Sequence, residues 1–299
     1  MTSPAPAPPH AYVVTAGTDS VAVIDAAEHQ LVGKVRVGAE PMLATLSPDG
    51  SLLLVSNRDS DDVSFVDPER LEVVATVSVQ DGAAGCAFSP DGTLAFVANE
   101  HAHTVSVIDV ARREALRHVP VGLSPCDMRM LPDGQHLAVT CEASHELAVL
   151  DGRTAERLRS IPAREGPLAI ALSPDASLLV VGCFISNDVL VIDTASWEIR
   201  SRGKFGSGHI GACVLPGGRE ALVTNGDSDS ISVFDLERCT ETGRIPGLVN
   251  PACVSLTPDG RFAYATNRGA DTLSVIDLAT REVARALRVG ASPLGLCMG

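Results

Sequence analysis

The sequence predicts an all-β fold: a seven-bladed β-propeller of four-stranded blades, closed by pairing the N- and C-terminal strands in one blade. Three observations predict it. Seven aspartates (Asp25, Asp67, Asp109, Asp151, Asp193, Asp235 and Asp277) each end an apolar run, and every step between them is 42 residues. A second series, from Pro48 to Pro258, keeps the same step without insertion or deletion. A period of this length, with four short strands per repeat, is the mark of a propeller. Third, the chain starts at what is elsewhere a second strand (AYVVT) and stops after a first strand (SPLGLCM). Joining the ends completes the seventh blade and removes the sheet edges that invite aggregation.

The elements follow in order. Residues 1–10, MTSPAPAPPH, are Pro-rich and uncharged, as expected of a short disordered tail. Residues 11–299 form one array with no linker, hence one domain. In the repeat 40–79, the run PMLATLS leads into the turn PDG. Then come LLLVSN, a polar loop RDSDD, VSFVD, the turn PERLE, and VVATVSV. Val, Leu, Ile and Thr fill runs of strand length. Ser47-Pro48-Asp49-Gly50 fits a type I turn, in which proline presets φ and glycine takes the left-handed position. The aspartate that closes each third strand can fold onto the following backbone N–H groups as an Asx turn. The innermost strand must fit the taper at the axis, so alternate positions should be small. Gly85, Ala169, Gly211, Cys253 and Gly295 share one such phase; Ala87, Ala171, Cys213, Ser255 and Cys297 share another.

Composition bounds the function. Lys and Arg total 23 against 37 Asp and Glu, a net charge of −14. So acidic a surface repels phosphate backbones, and ten aromatics are too few for a base-stacking platform, so no nucleic-acid partner is expected. No apolar stretch approaches the length of a membrane span, and no basic and apolar leader precedes the array. Neither a membrane partner nor export is expected, and a cytoplasmic protein is. The eight cysteines form no CxxC pair and read as free thiols packed as small hydrophobes.

The second strands end YVVT, LVSN, FVAN, AVTC, VVGC, LVTN and YATN. With VSVID at 105–109 and VGxxP at 37–41, 121–125 and 289–293, the chain resembles the YVTN family of seven-bladed β-propellers over nearly its whole length. The resemblance implies the fold. It also implies that the loops between second and third strands, and those entering each inner strand, ring one mouth of the central channel. Its relatives include surface-layer proteins, DNA-associated periplasmic proteins, haem-d1 domains and enzymes, and the acidity here opposes the DNA-binding branch.

Positions where the copies disagree are candidates for function. The residue after the second-strand signature is Arg58, Glu100, Glu142, Phe184, Gly226, Arg268 or Ala16. Glu100 and Glu142, with His101, His103 and His145 beside them, form an acid–base or metal-binding side, the histidines being the candidate ligands of a divalent ion. Arg58 and Arg268 form a side suited to a carboxylate or phosphate. His209 stands where five other repeats have proline, inside the glycine-rich GSGHIG, and is a candidate general base. Asp127 and Arg129 place charges in the small-residue phases of an inner strand, Asp127 as an acid–base group and Arg129 as a substrate contact. Cys126, Cys141 and Cys183, with His145, suggest a soft-metal site. Asn225-Gly-Asp-Ser-Asp-Ser lacks the downstream glutamate of a calcium loop, and no P-loop, dinucleotide fingerprint or GxSxG elbow occurs.

Two functions fit these groups. One is a small-molecule enzyme of lyase, isomerase or hydrolase type that acts on an anionic substrate at the channel mouth, by acid–base or metal-assisted chemistry. The other is a non-catalytic scaffold that holds a partner protein on the same rim.

Overall fold

The computed structural model describes residues 9–299, in seven antiparallel sheets of four strands. The inner strands are Pro41–Leu46, Ala83–Phe88, Pro125–Met130, Pro167–Leu172, His209–Val214, Pro251–Leu256 and Pro293–Met298, defining blades 1 to 7. Each blade continues outward through a second, a third and an outer strand. In blade 7 the C-terminal strand Pro293–Met298 pairs with His10–Thr15, in register Ala11↔Met298, Tyr12↔Cys297 and Val13↔Leu296. The closure expected from the sequence is therefore the one formed. The expected tail falls largely on residues 1–8, outside the described part, and His10 already belongs to a strand.

Second and third strands are buried on both faces, because each sheet is packed between two others. Apolar clusters such as Phe96, Met128 and Leu137 fill the space between neighbouring blades. At the axis the small-residue phase is required sterically. A Cβ on Gly85 would lie 2.5 Å from the carbonyl oxygen of Cys126, and one on Gly211 2.5 Å from that of Ala252. Real Cβ atoms do not approach that closely, so these glycines let adjacent inner strands meet.

The turns are as the sequence indicates. Ser47 Oγ donates to Asp49 Oδ1 at 2.6 Å and accepts the Leu52 N–H, and Gly50 has φ of +72°. These hydroxyl and backbone donors, Ser47 first, hold the Asp49 carboxyl down at about 2. Asp25 Oδ1 accepts the N–H groups of Ala27 and Glu28, the expected Asx turn.

The signature asparagines tie the second strand to the third. Asn99 Nδ2 donates to Ser106 Oγ at 2.8 Å, and Asn57, Asn225 and Asn267 repeat the bond to Ser64, Ser232 and Ser274. In blades 3 and 4 both partners change together. Cys141 and Cys183 replace asparagine, while the positions seven residues on are Ala148 and Leu190. Replacing a buried polar pair by an apolar pair leaves no orphaned group, so these two thiols belong to the packing.

A second sevenfold device links blade to blade. Asp19, Asp61, His103, His145, Asn187, Asp229 and Asp271 all have positive φ, between 47° and 58°. Each accepts, through Oδ1 or Nδ1, the backbone N–H of the residue 21 further on, at 2.7–3.2 Å. Asp and Asn suit such left-handed corners. His103 and His145 do the same with a ring nitrogen, accepting from Ser124 and Gly166. The substitutions His103→Asp and His145→Asn should therefore keep the fold and leave the melting temperature within a few degrees or raise it. Calorimetric melts check this, and a loss as large as that of a core truncation would show that the two rings do something more.

Candidate functional site

All seven inner strands run in the same direction, so sequence offset maps onto depth in the axial channel. The channel holds about 680 Å³. Its mouth is charged, with Glu40, Arg58, Glu100, Glu142 and Arg268. Below it Met42, Cys126, Leu168, Ile210 and Leu294 form an apolar collar. Deeper lie Asp127 and Arg129, and Leu46, Phe88, Met130 and Met298 line the far end.

The two sides of the mouth differ in charge. Arg58 forms a salt bridge with Glu100 of the next blade, the two side chains being 26% and 16% exposed. Arg268 is exposed and makes no ion pair among the described residues. Glu40 stands within the electrostatic reach of both arginines. Burial raises its pKa, a hydrogen bond with Asp59 adds to this, and the arginines oppose it. Across the mouth, ligand atoms of Glu100, Cys126 and Glu142 lie within 4.8 Å of one another, a set able to hold a divalent ion. The Cys126 thiol donates to the Ser124 carbonyl at 3.2 Å. Burial, then the charges of Glu100 and Glu142, push its pKa up.

Asp127 and Arg129 form an ion pair of 3.0 Å inside the channel, with side chains 15% and 40% exposed. Asp127 Oδ1 also accepts the Met128 N–H at 2.8 Å, and Arg129 Nη1 donates to the Met128 carbonyl. Burial raises the Asp127 pKa despite the opposing Arg129 charge. A carboxyl that keeps its proton above the ordinary range, in an accessible cavity, is suited to donate one.

The histidines do not join this site, and none lines the channel. His101 is exposed and pairs with Asp81 at 3.2 Å. His103 and His145 are the blade latches described above, so the expected His101–His103–His145 ligand set is not assembled. His209 is fully buried in the seam between blades 4 and 5, against Phe205 and Gly182. The proline position it occupies faces the neighbouring blade, not the axis. Of the expected site residues, Arg58, Arg268, Glu100, Glu142, Asp127 and Arg129 do share one channel. Sequence reading missed Glu40, which replaces the glycine, serine or asparagine found at this position in the other repeats. It also grouped Cys126 with Cys141, whereas the set that gathers around the Cys126 sulfur is Glu100 and Glu142, with Glu142 3.9 Å away.

This is a seven-bladed propeller with a ligand-sized axial channel whose mouth is charged. The YNCE-like beta-propeller family model matches residues 7–131 and 180–298, and the chain belongs to that family. No curated protein matches it. Among solved structures it is similar to Kuenenia stuttgartiensis hydrazine synthase, with 25% identity and a TM-score of 0.80 over 90% of this chain and 92% of that one. A functionally unknown protein from Desulfotomaculum acetoxidans DSM 771 is 13% identical, with a TM-score of 0.86 over 97% and 98%. Dihydro-heme d1 dehydrogenase NirN, in complex with DHE, is 21% identical, with a TM-score of 0.73 over 93% of this chain and 63% of that one. The last two likenesses speak for the fold alone. No helix among the described residues is long and apolar enough to cross a membrane.

Proposed function

We propose that the protein is an enzyme that takes a small anionic molecule into the axial channel and acts on it by acid–base chemistry of lyase, isomerase or hydrolase type. The observation that carries this reading is the Asp127–Arg129 pair, set in the small-residue phase of an inner strand and open to a cavity of ligand size. Arg268, with Arg58 on the same mouth, receives the carboxylate or phosphate, where a planar guanidinium can bind two oxygens at once. Met42, Leu168 and Ile210 exclude water from the body of the ligand. Asp127 holds a proton at its carboxyl, and Arg129 orients that carboxyl. A divalent ion on Glu100, Cys126 and Glu142 is the metal-assisted form of the same chemistry. The Arg58 charge on Glu100 opposes it.

The test is a thermal-shift and calorimetric screen with small carboxylates and phosphates. A ligand at a hundredfold its Kd stabilises by about 2.7 kcal/mol. Arg268→Ala should abolish the shift, whereas Asp127→Asn should keep binding and lose turnover. If no anion shifts the melt, or if Arg268→Ala leaves the shift intact, the reading fails.

The scaffold reading has its own support. Leu31, Val73, Leu116, Leu158 and Ile199, each 38–51% exposed, sit on the outer strands of five consecutive blades, 7 and 1 to 4. A partner captured through this belt, with no anion effect, would favour it.

A further inference from the structure

The apolar collar is not round. It is built from the second residue of each inner strand, and all seven of these residues line the channel. Four of them, Ala84, Leu168, Ala252 and Leu294, accept at the carbonyl a hydroxyl from the second strand of the preceding blade, which holds them at one level. In blades 2 and 6 the residue is alanine, Ala84 and Ala252. Between them stand larger side chains, Cys126, Leu168 and Ile210 on one side and Leu294 and Met42 on the other. The opening is therefore a slot that runs from blade 2 to blade 6. Phe184, from the middle blade of the longer wall, lines the mouth on that side, and Arg268 belongs to blade 6, at one end of the slot. Below the collar, the fifth residues of three inner strands, Thr45, Arg129 and Ser255, line the channel from blades 1, 3 and 6. Spaced two, two and three blades apart round the ring, they form a polar girdle. Collar and girdle are separated by three residues of strand, about 10 Å.

We propose that the channel selects a flat, ring-bearing organic anion that carries a hydroxyl or carbonyl oxygen at the end remote from its charge. This rests on the anion reading above and specifies its substrate. A planar body passes a slot that stops a globular one of equal volume. Lying along the longer wall, its ring meets Phe184, and aromatic pairs add to what burial alone provides. The charge at the blade 6 end meets Arg268. The far end reaches the girdle, where an apolar group would strip water from two hydroxyls and a guanidinium and return no hydrogen bond. An oxygen there accepts from Thr45, Ser255 or Arg129 and stands at the depth of Asp127. Ala87, Ala171, Cys213 and Cys297 hold the girdle position in the other blades, so the fold does not require a hydroxyl at it. Thr45 and Ser255 are thus specificity residues, and Phe184 is a contact for the ring.

The full chain is titrated calorimetrically with naphthoate, biphenyl carboxylate, the same two acids bearing a hydroxyl on the far ring, and adamantane carboxylate, a cage of about naphthoate's size. The hydroxylated biphenyl acid should bind best and the cage at least about 10-fold more weakly than naphthoate. Thr45→Val/Ser255→Ala should weaken the hydroxylated acids about 10-fold and leave the plain ones unchanged. Phe184→Leu should weaken all flat acids about 3–10-fold. Ala84→Leu/Ala252→Leu should close the slot to them, and leucine already stands at this position in blades 4 and 7. Should that variant fail to fold, the ranking of the probes on the wild-type chain decides. A cage bound as tightly as naphthoate, or a distal hydroxyl without effect, overturns this proposal and leaves the anion reading standing. If no carboxylate binds, uncharged naphthol separates the two. Binding of naphthol that Ala84→Leu/Ala252→Leu abolishes keeps the slot while the anion reading fails, and no binding overturns both.

Discussion

Arg129→Ala is expected to destabilise the propeller by about 1–3 kcal/mol, while Asp127→Ala/Arg129→Ala is expected to cost much less. The asymmetry follows from burial. Asp127 is only 15% exposed, so removing Arg129 leaves its carboxyl group without its guanidinium partner in a poorly solvated wall. Arg129 is 40% exposed and can reach channel water once Asp127 is gone. The double variant restores what Ala169 and Ala171 provide in the next blade. Urea unfolding at neutral pH of the two single variants and the double variant completes the cycle. Equal losses for all three would show that the pair is not organised in this way.

The same pair gives a pH dependence with a definite sign. Burial raises the folded pKa of Asp127 above its unfolded value, near 3.9. The folded protein therefore keeps a proton that the unfolded chain has already lost. The contribution of Asp127 to stability is present at acid pH. It is lost as pH rises from the unfolded value through the folded one, at about 1.4 kcal/mol per unit of separation. Asp127→Asn should flatten the stability curve over that interval.

The fold was legible because a strict period of 42 leaves little freedom: strand count, turn chemistry and closure all follow from it. The site was legible only at the positions where a side chain faces the axis. Asp127 and Arg129 betrayed themselves as charges in a small-residue phase, and Glu100, Arg58 and Arg268 by offset from the signature. His103 and His145 misled because identity was read without the role of the repeat position. Their counterparts are Asp and Asn, and a ring nitrogen can accept the same backbone N–H.

His209 carries the other large effect. His209→Pro combined with Gly182→Thr is expected to stabilise the protein by about 1–3 kcal/mol. Five blades have proline at the His209 position, and in each the preceding residue has positive φ, as Gly208 does with φ of +72°. The backbone is thus already shaped for proline. Gly182 yields space to the histidine, its Cβ position lying 3.1 Å from His209 Cβ. Thr140, Thr224 and Thr266 occupy the corresponding place in other blades and donate to the inner-strand carbonyl 28 residues on. Threonine at 182 would reach the Ile210 carbonyl in the same way. The present seam instead buries both ring nitrogens of His209 without a hydrogen-bond partner. Burial lowers the pKa, although the carbonyls of Asn187, Thr224 and Phe205 and the Asn225 side chain favour the protonated ring. Below the unfolded value, near 6.5, the unfolded chain takes up a proton that the folded one refuses, so stability falls as pH drops. The double variant should lose this acid limb, leaving a smaller difference between urea midpoints at pH 7.5 and pH 5. An unchanged difference would mean that the His209 ring is not the group that titrates there.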